Sequence, residues 1–315
     1  MKQIMVSILV PTYGHEKYIA EALDSILMQK TKYSYEVIVG EDASPDNTRA
    51  ILQKYEKKYP DIFNMIYRDN NCGGCSNSID LIRRASGKYI ITLEGDDFWI
   101  SEDKLECQVT YLEQHPEYTA VAHNCLIVDQ NSMPTGKEYP ECKDEEYTLR
   151  HFRRNILPGQ TASIMYRAPL HRQIASDKIW KTRPLAGDQI YVLGTIARGP
   201  IHCMQKKMSA YRYITSNGTS YSSAVSHDFN KTLSGYKIMI EFSRRLNNCT
   251  AEIASEGRYF AFLFFEGLLK KKITFRQAFS LYQYINHKFS VLFIKVVDYI
   301  YRIGRSFQCL SNTKI

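Results

Sequence analysis

Behind the largely apolar run 88–93, the segment Glu94-Gly95-Asp96-Asp97 sets three acids within four residues. Carboxylates that close repel one another unless a cation or a cationic ligand group joins them. Their oxygens are hard ligands of the kind taken by Mg²⁺ or Mn²⁺, and Mg²⁺ is commonly shared between one or two carboxylates and substrate phosphates. The chemistry that fits is a metal-bound phosphate compound. Asp42 follows a second apolar run at 36–40, and Pro11, Thr12 and Tyr13 follow a third at 4–10. Each piece also has a plain structural use. Taken alone, Asp42 serves equally as a helix cap or turn residue, and Asp188 in Gly187-Asp188-Gln189 reads as a helix cap. Three acids in four residues are harder to explain that way.

These segments come together only if the elements before them form one sheet. The run 4–10, ended by Pro11, predicts a strand buried on both faces. Tyr18, Ile19, Ala22, Leu23, Ile26 and Leu27 recur at helical spacing, which predicts an amphipathic helix over 15–29. Strands follow at 36–40, 62–67 and 88–93. Between them lie a helix capped by Ser44 that buries Ile51, Leu52 and Tyr55, and another through Ile79, Leu81 and Ile82. This alternation predicts an α/β fold with a mostly parallel sheet and helices on both faces. In such sheets ligands bind outside the carboxyl ends of the strands, which is where these acids fall. Later segments are less regular: a helix at 103–114, one or two strands at 118–128, a polar surface loop at 130–146, a strand at 160–166 and a helix at 186–198. A Ser-rich linker at 216–226 leads to a C-terminal helical segment. The expected division is 1–222 and 223–315.

The chain has 315 residues, of which 44% are hydrophobic, enough for a sizeable core. No run of about 20 apolar residues predicts a membrane span. The N-terminal apolar run is too short for a secretory signal and reads as the first strand, so a cytoplasmic chain is expected. Eight scattered cysteines are then reduced thiols. Cys72-Gly-Gly-Cys75 lacks a second ligand pair for zinc and reads as a Gly-rich turn. Neither G-x-x-x-x-G-K-[ST] nor, after the first strand, G-x-G-x-x-G occurs, which disfavours a P-loop NTPase and a dinucleotide dehydrogenase.

VSILVPTYGHEKYIAEALDSIL, YEVIVGEDASPDNT, ASGKYIITLEGDDFW and LAGDQIYV, in this order, resemble family 2 glycosyltransferases. The resemblance covers residue 4 to about 222 and is closest to bacterial enzymes of surface-polysaccharide assembly. It implies a GT-A nucleotide-sugar-binding fold and an inverting transfer from a nucleoside-diphosphate sugar, a UDP-sugar by expectation, to a glycan or lipid-linked acceptor. Pro11, Thr12 and Tyr13 match the segment that cradles base and ribose, and Asp42 the acid that contacts uracil or ribose. Glu94 and Asp96 fill the D-x-D-type positions where metal and diphosphate bind, and Asp97 shares the metal role. Asp188 matches the catalytic base. One departure stands out: the bacterial pattern has a His two positions beyond Arg212, where this chain has Ile214.

The net charge of +8 is segregated. Residues 225–315 hold 14 Lys and Arg against 6 Asp and Glu, which accounts for all of it. Lys270, Lys271 and Lys272 follow the aromatic run 257–267, and Lys288, Lys295 and Arg302 recur every seventh residue beside Phe289, Leu292, Phe293 and Val296. A cationic stripe beside an apolar face predicts a helix lying on an anionic membrane surface, and hence peripheral attachment at the inner face. The alternative is a C-terminal helix packed on the catalytic domain. A basic nucleic-acid-binding protein is a second class, but no RNA- or DNA-binding motif accompanies the charge, so no nucleic-acid partner is expected. A sugar nucleotidyltransferase is a third class. It would show a Gly-rich, basic loop after the first strand, and PTYGHEKY is not one.

Overall fold

The computed structural model describes residues 3–137, 139, 141–182, 187–214 and 228–293. The chain divides into two compact units, one of them formed by Leu149–Ile156 together with the residues after 227.

In the first unit, β1 (Val6–Thr12) sends Val6, Ile8 and Val10 into one apolar cluster and Leu9 into another, so both faces of the strand are covered. It pairs in parallel with β2 (Tyr35–Glu41) and β4 (Tyr89–Thr92), and β2 pairs with β3 (Phe63–Tyr67). The crossovers are α1 (Ile19–Leu27), α2 (Thr48–Lys58) and α3 (Gly74–Arg84). α1 buries Ile19, Ala22, Leu23 and Ile26 against the larger cluster. Each such Ile or Leu contributes about 1.5–3 kcal/mol by leaving water. α4 (Lys104–Gln114) covers the same face with Leu105, Val109 and Leu112.

The sheet continues through β8 (Met165–Arg167), β6 (Ala120–Val128), β9 (Ile201–Arg212) and the two-residue β5 (Phe98–Trp99), with β7 (Glu146–Tyr147) also on β9. β8, β5 and β7 run against the other six strands. α6 (Ala168–Ala175) starts with Pro169 in its first turn, where a missing N–H costs nothing, and α7 (Gly187–Ile196) precedes β9.

Several expectations change in detail. Ser44 does not cap α2; its hydroxyl accepts from the Gly14 N–H at 3.0 Å, while Asp46 takes the Thr48 N–H. The strand expected at 160–166 is a 3₁₀ turn (Thr161–Ser163) followed by β8. The loop 130–146 is not all surface, because Glu141 and Cys142 are buried. The Ser-rich linker, Lys295, Val296 and Arg302 lie outside the described residues. The seven cysteines described are free thiols.

The second unit is helical. It holds α5 (Leu149–Arg153), α8 (Phe229–Arg245), α9 (Cys249–Phe262), a π-helical continuation (Leu263–Leu269) and α10 (Phe275–Tyr282). Asp228 and Asn248 cap α8 and α9, and Thr274 with Gln277 forms a capping box on α10. Leu233, Ile240, Tyr259, Leu263, Ile285 and Val291 form its core. No helix among the described residues is long and apolar enough to cross a membrane.

Candidate active site

Parallel pairing puts the carboxyl ends of β1, β2 and β4 on one edge, and backbone bonds stitch the three tips together. The Asp42 N–H donates to the Thr12 carbonyl at 3.1 Å, Leu93 to Leu9 at 2.8 Å, and Gly95 to Pro11 at 3.2 Å. Gly95 has no room for a side chain, since a Cβ there would lie 2.6 Å from Thr12 Oγ1 and 2.7 Å from His15 Nδ1. Thr12 Oγ1 and His15 Nδ1 are hydrogen-bonded at 3.0 Å, and His15 Nε2 lies 4.0 Å from Asp96 Oδ2. Burial holds this imidazole below its ordinary value, with Asp96 and Asp46 opposing. Tyr13 is partly exposed at the strand tip. Ile214, where the bacterial pattern has His, is buried.

Asp96 and Asp97 are adjacent but differently used. Asp97 is buried, and both of its oxygens accept hydrogen bonds at 2.8 Å, from Gln160 Nε2 and from the Arg212 backbone N–H. Burial, then Asp96 and Glu94, push its carboxyl well up from the usual range. Asp97 therefore pins the loop between β4 and β5 to β9, and the expectation of a metal ligand narrows to Asp96 and Glu94. Arg212 completes the pin. Its Nε donates to the Asp96 carbonyl at 2.8 Å, Nη1 to the Asp129 carbonyl and Ser132 Oγ at 3.1 Å, and Nη2 to Glu21 Oε2 at 2.7 Å. Its guanidinium lies 4.3 Å from the centre of the Tyr18 ring.

Glu94 has an orphaned oxygen. Its Oε2 is shut off from water and accepts no hydrogen bond among the described residues. Burial, then Asp96, with Asp188 adding to them, push its carboxyl up to about 7. Glu94, Asp96 and Asp97 do not close into three ligand atoms within 4.8 Å of one another among the described residues. The chain thus offers an oxygen-only, two-carboxylate set with one unsatisfied buried oxygen. That fits a hard divalent cation whose remaining ligands are phosphate and water.

Asp188 stands exposed in the first turn of α7. Its charge is felt at Glu94 and raises Tyr139 and Tyr166 as well, although burial is the larger cause for both tyrosines. Asp188 is more than ninety positions from the acids after β4 in sequence, and its charge bears on Glu94.

Asp42 is buried and occupied. Its carboxylate accepts the N–H groups of Cys72 at 2.8 Å and Gly73 at 3.0 Å, and Arg68 Nε lies 3.8 Å away. Cys72 and Gly73, the latter at φ +85°, form the approach that Asp42 holds in place, and Gly74 and Cys75 are the first residues of α3, so the expected turn covers only the first half of the segment. A direct contact from Asp42 to a ligand would share its oxygens with this turn.

Sequence reasoning passed over His15 and Gln160. Each is a single residue in no spacing pattern, and only the fold sets them beside Asp96 and Asp97. His15 had one faint signal, its place three residues beyond Thr12 in the turn after β1.

A mixed sheet whose parallel carboxyl edge carries an acidic loop is the arrangement of the GT-A class of nucleotide-sugar-binding folds. Residues 7–172 match the description "Glycosyl transferase family 2", and the chain belongs to that family. Rv1520, an uncharacterised protein of Mycobacterium tuberculosis, is 35% identical over 170 residues, which is 51% of this chain and 46% of that protein. The chain thus spans about half the length of this relative. Among solved structures, Staphylococcus aureus TarS 1-349 in complex with UDP-GlcNAc superposes with a TM-score of 0.64 at 18% identity, covering 90% of this chain and 82% of the other. A mannosyltransferase from Pyrobaculum calidifontis, in complex with GDP-Man and Mn²⁺, gives 0.52 at 15% identity over 95% and 88% of the two chains.

Proposed function

We propose that this chain transfers a sugar from a UDP-sugar, with inversion, to a hydroxyl of a glycan or lipid-linked acceptor in surface-polysaccharide assembly. The observation that carries the reading is the carboxyl edge of β1, β2 and β4, where backbone bonds tie the Glu94-Gly95-Asp96 loop to the strand tips and Glu94 keeps an unsatisfied buried oxygen. The UDP-GlcNAc complex of TarS and the membership of family 2 support the donor class.

Pro11, Thr12 and Tyr13 line the nucleotide side, and Asp42 sets the Cys72-Gly73 turn beside it. Asp96 and Glu94 would hold Mg²⁺ or Mn²⁺, which supplies charge neutralisation to a leaving diphosphate. Asp188 accepts the acceptor's hydroxyl proton as that oxygen attacks the anomeric carbon. The bond from that carbon to the diphosphate oxygen breaks, its electron pair leaves with the nucleoside diphosphate, and the carbon inverts. The chain's main contribution is alignment of donor, base and acceptor. A lipid-linked acceptor places this reaction at the cytoplasmic face of an anionic membrane.

The test is release of nucleoside diphosphate from a panel of UDP- and GDP-sugars with lipid-linked glycan acceptors. Asp188→Asn keeps shape and removes the base, so donor affinity should stay near normal while kcat drops by roughly 10²–10⁴. Lost donor binding with normal turnover per bound donor would make Asp188 a binding residue. Pyrophosphate release from a sugar phosphate and a nucleoside triphosphate would move the chain to the nucleotidyltransferases.

A further inference from the structure

The second unit buries one set of apolar side chains and leaves another in water. Phe275 is 83% exposed, Phe279 68% and Phe289 84%, and Phe265, Leu269 and Phe293 are more than half exposed. In the first unit the exposed large apolar residues are Tyr13, Met28, Ile100, Met133 and Tyr213, scattered singly among the described residues, as on any soluble surface.

The exposed rings of Leu263–Leu269 connect toward α10 through Phe260 and Tyr282, which are half-buried on the unit's core. Phe275, Phe279 and Tyr282 fall four and three residues apart on one stripe of α10, and Ala278 is buried. Tyr282 packs on Phe260 at 5.8 Å between ring centres, Phe260 on Phe264 at 6.5 Å, and Phe264 on Phe265 at 5.3 Å. Lys288 Nζ lies 5.9 Å from the Tyr282 ring, which brings the next helical turn beside the same stripe. At about 100° per residue, Phe289 and Phe293 share one side of that turn while the buried Val291 points the other way.

The charge around this surface has one sign. Residues 264–293 carry five Lys and Arg (Lys270, Lys271, Lys272, Arg276 and Lys288) against one acid, Glu266. Glu266 pairs with Lys270 at 2.7 Å and reaches Lys272 at 3.7 Å. Large aromatic side chains exposed in this number within one small unit mark a surface that something covers. Aromatic rings flanked by long basic side chains suit a lipid interface, where the rings enter at headgroup depth and the ammonium and guanidinium groups stay with the phosphates.

We propose that the Phe275–Phe279–Phe265 surface, with the Lys270-Lys271-Lys272 turn at its edge, docks this chain on an anionic lipid bilayer. Its purpose rests on the transfer reading, but its test is read without donor or acceptor, so either can fail alone.

The full chain is sedimented with phosphatidylcholine vesicles and with vesicles containing phosphatidylglycerol, at about 0.1 M and about 0.5 M salt, which changes the screening length several-fold. Sedimentation with the anionic vesicles alone is expected, weakened but not abolished by salt. Replacing all three lysines 270–272 by Glu should lower binding about a hundredfold or more. Phe275→Ser with Phe279→Ser should remove the salt-resistant part, and because both rings are exposed, the melting temperature should not move. Asp188→Asn should bind vesicles like the parent. Equal binding to both lipids, or none, overturns the proposal. So does a concentration-dependent dimer that the double Ser variant dissolves, which would give the surface to a second copy. Vesicle binding restored to the double Ser variant by salt would also overturn it.

Discussion

At the scale of single residues, the acids after β4 divide the work by burial. Asp97 has no free oxygen, Glu94 has one orphaned oxygen, and Asp96 lies between them with its carbonyl held by Arg212. Arg212 is the residue on which this division depends. It is 1% exposed and spends its three side-chain nitrogens on four different partners. A planar fork makes that possible, whereas a lysine ammonium on a flexible stem serves one or two of them. Arg212→Met leaves the Asp96 and Asp129 carbonyls without their donor, while the partly exposed Glu21 can turn to water, and should cost about 1–3 kcal/mol. For a unit of this size that lowers the melting temperature by roughly 2–12 °C, measured by calorimetry. Arg212→Lys should recover much of the stability but not the nucleotide affinity, because the Asp96 carbonyl loses its fixed donor. Equal recovery of both would reduce Arg212 to a core residue with no bearing on the site.

At the scale of elements, the strand tips are packed so tightly that glycine is required where they cross. Gly95→Ala puts a methyl group against Thr12 Oγ1 and His15 Nδ1, which are hydrogen-bonded to each other, while the His15 backbone N–H is held by Thr48. Overpacking of this kind costs about 1–3 kcal/mol. The relief it finds is outward movement of the β4–β5 loop, so donor affinity should fall about tenfold or more while the far-ultraviolet circular dichroism stays unchanged. Isothermal titration with UDP measures it, and parent-like affinity would show that the loop is free to move. The parallel half of the sheet was legible in the sequence because β1, β2 and β4 are buried on both faces and read as unbroken apolar runs. β9 was not. Its polar stretch Gln205, Lys206 and Lys207 is exposed where the pairing with β6 slips around Asn124, so neither an apolar run nor a clean alternation survives. The acids of the site were legible by clustering. Their supports, Gln160 and Arg212, come from elements whose placement depends on that irregular strand.

At the scale of the molecule, the acidic edge and the basic C-terminal region pull in opposite directions. The region before residue 225 carries no net charge, yet it gathers Glu94, Asp96 and Asp97 in one loop, where burial and mutual repulsion raise Glu94 and Asp97. Such an edge is poorly stabilised alone and should be stabilised by ligands that bring positive charge with them. A ligand that binds only the folded chain raises stability by RT ln(1 + [L]/Kd), about 2.7 kcal/mol at a hundred times Kd. Mn²⁺ alone should therefore raise the melting temperature modestly, and UDP alone little, since its diphosphate meets Asp96 and Glu94 unscreened. Mn²⁺ with UDP should exceed the sum of the two, because each supplies ligands or charge that the other needs. Chelator should return the protein to its unliganded melting temperature, and Asp96→Ala should show no joint effect. Turnover should follow the same pattern, with transfer lost on chelation. GDP in place of UDP should give a smaller joint shift if the uracil reading of the edge is right. A joint shift equal for UDP and GDP would remove the uridine assignment while leaving the metal-diphosphate site. A UDP shift that survives both chelator and Asp96→Ala would remove the metal site itself, leaving Arg212 and the strand tips to account for nucleotide binding.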